Sequence, residues 1–190
     1  MTLTTALVTP LINQLRALSG WLDKAEAFAA GRGESPEALL PLRLAPDMFP
    51  LTTQLRFAAF QAQEPLYRLS DTPVPEAVLD IRQEGRDGEA APGSWADARA
   101  RIAEAIAALD AVATDAFDDA ADRPIAHDLP MGMIFDMTGE TYVRDWALPQ
   151  VTFHVLMAYA LLRHAGVPLG KTDYVPHMFA YLRPGTMPGA

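Results

Sequence analysis

Residues 148–170, LPQVTFHVLMAYALLRHAGVPLG, decide the fold. From Val155 to Leu162 no charged or strongly polar side chain interrupts the run, and His154 is the one strongly polar residue deep within it. Pro149 suits a first helical turn, and Gly166 suits the position just past the last one. A helix that is apolar nearly all round is buried on several sides. The stretch is therefore predicted to be the central helix of a bundle, with both Leu156 and Leu161 in the core.

Working outward, three more long helices are expected. At the N-terminus Leu3, Leu7, Leu11, Leu15, Leu18 and Leu22 recur at helical spacing, with Trp21, Ala25 and Phe28 widening the stripe. This helix is expected to run to about residue 30 and to kink at Pro10, because the leucine stripe stays in phase upstream of the proline. A loop, GRGESPE, and an apolar connector ending at Pro46 follow. Asp47 is expected to cap a second helix, with Met48, Leu51, Leu55, Ala58, Ala59, Ala62, Leu66 and Leu69 as its buried stripe. Residues 70–93 are rich in Pro, Gly and charge and read as a long exposed connection. SWAD, residues 94–97, has the form of a capping box with Asp in place of Glu, and opens a third helix reaching to Ala116. Asp118, Asp119 and Asp122 then form a solvated acidic patch. A small two-stranded ribbon is expected around Met131-Gly132, and Thr138 is expected to cap a short helix leading into the central one.

The fold class is thus all-α: a four-helix bundle with one long crossover and a small ribbon before the last helix, residues 1–190 forming a single domain. The chain carries 15 basic and 24 acidic residues, a net charge of −9. That balance argues against nucleic acid, whose binders present a basic face, and against anionic lipid. Without cysteine there is no disulfide, thiolate site or cysteine nucleophile. The N-terminal residues lack the pattern of a secretory signal, and the central run is too short to span a bilayer, so a cytoplasmic protein is expected.

Two motifs, RLAPDMFPLTTQ at 43–54 and LPQVTFHVLMAYALLRHAGVPLGKTDY at 148–174, resemble an uncharacterised bacterial family of the DinB/YfiT-like four-helix-bundle superfamily. The resemblance implies an up-down-down-up bundle, frequent dimers, and often a divalent metal held by three histidines. One of these comes from the second helix and two, four residues apart, from the last. Laid on this chain, the last-helix positions fall on Gln150 and His154, while the second helix offers Asp47 and Gln54 and no histidine. Known members include metal-dependent thiol transferases and isomerases.

Gln150 and His154 project onto one helical stripe. A carboxamide is a poor ligand for zinc or nickel, which prefer imidazole, thiolate or carboxylate. The expected ligand cleft comprises Asp47, Gln54, Gln150, His154 and Tyr159, with Tyr142 a further hydroxyl. No metal is favoured; a zinc or nickel ion, if bound, would use His154, Asp47 and Gln150. An Asp47 carboxylate beside His154 would raise the imidazole pKa. His127, His164 and His177 share no ligand spacing with His154. The favoured reading is a small-molecule-binding or otherwise non-catalytic homodimer with a degenerate metal site. The alternatives are a metal-dependent transferase or hydrolase, and a stress-related protein-interaction module.

Overall fold

The computed structural model describes residues 1–129 and 131–186. The protein is mostly helical, with one small antiparallel ribbon. Helix α1, Leu3–Gly31, runs through Pro10, and Thr2 caps it by accepting from Thr5 N at 3.3 Å. Leu7, Leu11, Leu15, Leu18 and Leu22 of its stripe are buried, as the spacing predicts, while Leu3 at its start is half-buried.

Helix α2, Leu51–Leu69, begins later than expected, and Asp47 does not cap it. Pro50 holds the capping position in an extended conformation. The orphan amides of the first turn find main-chain acceptors in the apolar connector: Leu51 N donates to Leu42 O at 2.8 Å and Thr52 N to Leu40 O at 3.0 Å. With those donors taken, Asp47 is left exposed in the loop.

The supposed long connection contains a helix, α3, Glu76–Asp87. Val78, Ile81 and Gly85 bury its inner face against α2. Gly85 permits the close approach, since a Cβ there would lie 2.6 Å from the Phe57 ring. Helix α4, Trp95–Asp110, opens on the predicted capping box: Asp97 N donates to Ser94 Oγ at 3.0 Å, and Ser94 N to Asp97 Oδ2 at 3.2 Å. It stops at Asp110, short of the expected Ala116. Asp118 does not sit in a free acidic patch. Its Oδ1 accepts from Thr4 N and Thr4 Oγ1, at 3.1 and 2.7 Å, at the positive end of α1.

Strands β1, Pro124–Asp128, and β2, Ile134–Thr138, pair antiparallel with His127 opposite Phe135. Thr138 caps α5, Gly139–Tyr142, as expected. Helical backbone then continues through a π-turn, Val143–Ala147, into α6, Leu148–His164. Pro149 accounts for the widened turn: without an N–H it cannot bond the carbonyl one turn back, and Leu148 N–H bonds Val143 O instead. Gly166, at φ 97°, ends the helix as predicted. The short helix α7, Lys171–Tyr174, lies on α1, where Trp21 Nε1 donates to Asp173 O at 2.7 Å.

The long helices close a ring: α1 packs on α4 and α6, and α2 packs on the same two from the other side. Helix α6 is less enclosed than its composition suggests. Val151, Val155, Ala158, Leu161 and Leu162 are buried, but Phe153 is 55% exposed and Leu156 is 48% exposed. Leu156 therefore lies outside the core. No described helix is long and apolar enough to cross a membrane.

Candidate functional site

His154 is 7% exposed and lies between α6 and the start of α2. Its Nδ1 is 2.9 Å from Gln54 Oε1. The Gln54 amide nitrogen donates to Phe49 O at 3.2 Å, which turns its oxygen toward the imidazole. An amide oxygen can only accept, so Nδ1 carries the proton and Nε2 keeps its lone pair. Gln54 thus orients the histidine and fixes its tautomer. Nε2 is the atom left to meet a ligand.

Aromatic rings frame this imidazole. Phe57 and Phe153 stand edge-to-face to it at 5.2 and 5.3 Å, and Phe49 packs on Phe57 at 5.7 Å. Phe49 and Phe153 reach the surface. Burial among these rings lowers the His154 pKa to about 4, because the apolar surroundings penalise the charged imidazolium. The expected rise does not occur. Asp47, exposed in its loop, makes no hydrogen bond or ion pair with His154 among the described residues, so desolvation acts unopposed.

Of the residues expected in the cleft, Gln54 and His154 meet directly. Gln150 lies one turn before His154, half-buried, and its side chain makes no hydrogen bond among the described residues. Tyr159 belongs elsewhere. It packs on Trp21 at 5.3 Å and Tyr174 at 5.9 Å, on the α1 side of α6. Tyr142 lies before the π-turn, fully buried beside His127. The phenylalanines were not picked out in the sequence, since they come from a loop and two helices with no shared spacing. Only Phe153, adjacent to His154, had a local signal.

The three-histidine metal implied by the resemblance does not fit this donor set. The matching positions hold one imidazole and two carboxamides, and one of those carboxamides already occupies Nδ1. Among the described residues, no three His, Cys, Asp or Glu side chains group closely enough to hold an ion.

The chain matches the family described as a domain of unknown function, DUF1993, over residues 3–175. It is similar to a solved structure, a DinB family member protein from Shewanella denitrificans, at 30% identity and a TM-score of 0.74. That match covers 99% of this chain and 94% of the other. No curated protein matches.

Proposed function

The chain belongs to the DUF1993 family of DinB-like proteins, and we propose that it is a cytoplasmic four-helix bundle of DinB/YfiT topology that binds a small molecule non-catalytically at a degenerate metal site. One observation carries this reading: the Gln54–His154 contact, which leaves a single neutral imidazole nitrogen within a frame of phenylalanines. One imidazole among carboxamides is a weak metal site but a good acceptor for one hydrogen bond. The ligand that suits it has an apolar or aromatic body and one O–H or N–H donor. A homodimer formed through the exposed apolar face of α6 belongs to the same proposal.

Two measurements on tag-free protein test the reading. After incubation with zinc or nickel and dialysis, elemental analysis should find far less than one metal per chain. Phenol, used as the probe, should saturably shift the ring signals of His154 and of its neighbour Phe57 in NMR, and His154→Phe should abolish the Phe57 shift. Near-stoichiometric metal would overturn the reading in favour of a metal-dependent transferase or hydrolase. Unmoved ring signals at high phenol would count against a small-molecule site.

A further inference from the structure

At the far end of the α2–α6 seam from His154, a second polar cluster lies beneath the ribbon. Glu64 is 3% exposed, with its Oε1 3.2 Å from Arg68 Nη2, and the same guanidinium nitrogen lies 3.1 Å from Asp128 Oδ1. His127 reaches inward from β1 and is 2% exposed, while Tyr142 is fully buried. Their rings stand 5.5 Å apart, and the Trp146 ring is 4.4 Å from His127. Trp146 is carried by the π-turn, a widened backbone that recurs at functional sites.

Three polar atoms here have no partner among the described residues: Tyr142 Oη, His127 Nδ1 and Trp146 Nε1. Buried polar groups are nearly always hydrogen-bonded, so three carried on adjoining rings point to a partner outside the chain. The chemistry narrows what that partner is. The indole N–H only donates and the phenol O–H donates readily, so the partner must accept. The Glu64 charge already acts on the Tyr142 phenol, and a second negative charge beside it is disfavoured. A cation cannot accept from the indole. A neutral acceptor with donors of its own remains. Burial and the nearby Glu64 charge hold the Tyr142 phenol well above its ordinary pKa, so it keeps its proton. Burial also keeps His127 neutral at pH 7, so its ring can accept.

We propose that Tyr142, His127 and Trp146 enclose a bound water, which accepts from the phenol and the indole and donates to the imidazole. This internal water ties the ribbon to the π-turn and places one exchangeable molecule beside the buried Glu64 carboxylate. The site is separate from His154 and does not depend on the function proposed there.

Oxygen-17 relaxation dispersion counts long-lived internal waters in the full chain. Wild-type protein should show one more than the Tyr142→Phe, Trp146→Phe double variant, with the helical circular dichroism of the two matched. A crystal structure of the wild type supplies a readout independent of folding. It should show a water within hydrogen-bond reach of at least two of the three atoms. An unchanged water count, or a crystal structure in which Tyr142 Oη bonds Glu64 directly, would overturn the proposal.

Discussion

Helices α1 and α2 are both deeply buried, but they bury different chemistry. The inner face of α1 is leucine, alanine and tryptophan, with Thr4 the single buried polar residue at its end. Thr4 is fully bonded, giving its hydroxyl to Asp118 and accepting from Phe117 N at 2.9 Å. Helix α2 buries Thr52, Thr53, Gln54, Arg56, Gln63 and Glu64 along with its apolar stripe. Polar burial is costly unless every group is matched, and even matched charges gain little over apolar packing. Most of the α2 groups are matched. Thr52 Oγ1 donates to Pro92 O at 2.6 Å, Arg56 Nη1 to Thr52 Oγ1 at 2.6 Å, and Gln63 Nε2 to Ala59 O at 3.1 Å. The contrast separates roles: α1 supplies stability, while α2 gives up stability to hold polar groups at two places along its seam with α6.

The sharpest test of that division is Leu15→Ala in α1. Leu15 is completely buried among apolar neighbours, so the change removes contacts and leaves a cavity. The expected loss is about 3–4 kcal/mol in urea unfolding. A loss under about 1 kcal/mol would mean that α1 is not the stabilising wall.

Next comes Arg68→Ala, which strips Glu64 of its cation. Unpairing a buried charge costs about 3–5 kcal/mol, and partial exposure of Arg68 reduces that to about 2–3. The cost depends on pH. Burial already raises the Glu64 pKa above 4.5, even against the pull of Arg68. A raised folded-state pKa leaves stability intact below the unfolded value and erodes it as pH rises through the folded one. The gap between wild type and variant in urea should therefore be wide at pH 7 and narrow at pH 4. A gap independent of pH would place the effect in lost packing rather than in the charge of Glu64.

How much of this was readable beforehand follows the same divide. The leucine stripe of α1 and the Ser94–Asp97 box are local patterns, and both stand in the structure. Helix α3 was not legible, because EAVLDIRQEGRD offers only Val78 and Ile81 to bury and its third contact is a glycine, which carries no hydrophobic signal. Asp47 misled because capping preference is local, whereas the amides it would have capped are bonded by a connector folding back from Leu40 and Leu42. Gln54 and His154 emerged from aligned motifs, but their contact joins residues 100 positions apart. His127 gave no warning: a five-residue strand is too short for its alternation to mark an inward-facing histidine.

A pH titration probes the α2 seam directly. His154 binds its proton with a pKa near 4 when folded and about 6.5 when unfolded. Between those values the unfolded chain holds more protons, so stability falls as pH drops. Moving from pH 7 to pH 5 should cost wild type about 2 kcal/mol through this residue alone. His154→Leu should lose that share of the pH dependence, leaving what His127, lowered to about 4 by its own burial, contributes. In wild type the His154 ring signals should still report a neutral imidazole at pH 5.5. An NMR midpoint near 6.5 would show the ring to be solvated and the seam to be wetter than α2 suggests.

The smallest expected effect on stability falls on α6, where the two sides of one helix repeat the contrast. Leu161 faces the core and Leu156 faces outward, 48% exposed, on the same side as Phe153. A charge at an exposed position keeps its water, so Leu156→Asp should change monomer stability by no more than about 0.5 kcal/mol. Self-association is a different matter. A carboxylate at the centre of an apolar contact between two copies must be desolvated without a partner, and a dimer built there cannot tolerate it. Light scattering on wild type should give twice the chain mass of 20.6 kDa, and Leu156→Asp should give that mass once, with its melting curve nearly unmoved. A dimer that survives the substitution would move the interface off α6. A wild-type monomer at every micromolar concentration would remove the dimer altogether and leave the Phe153–Leu156 face to the ligand proposed for His154.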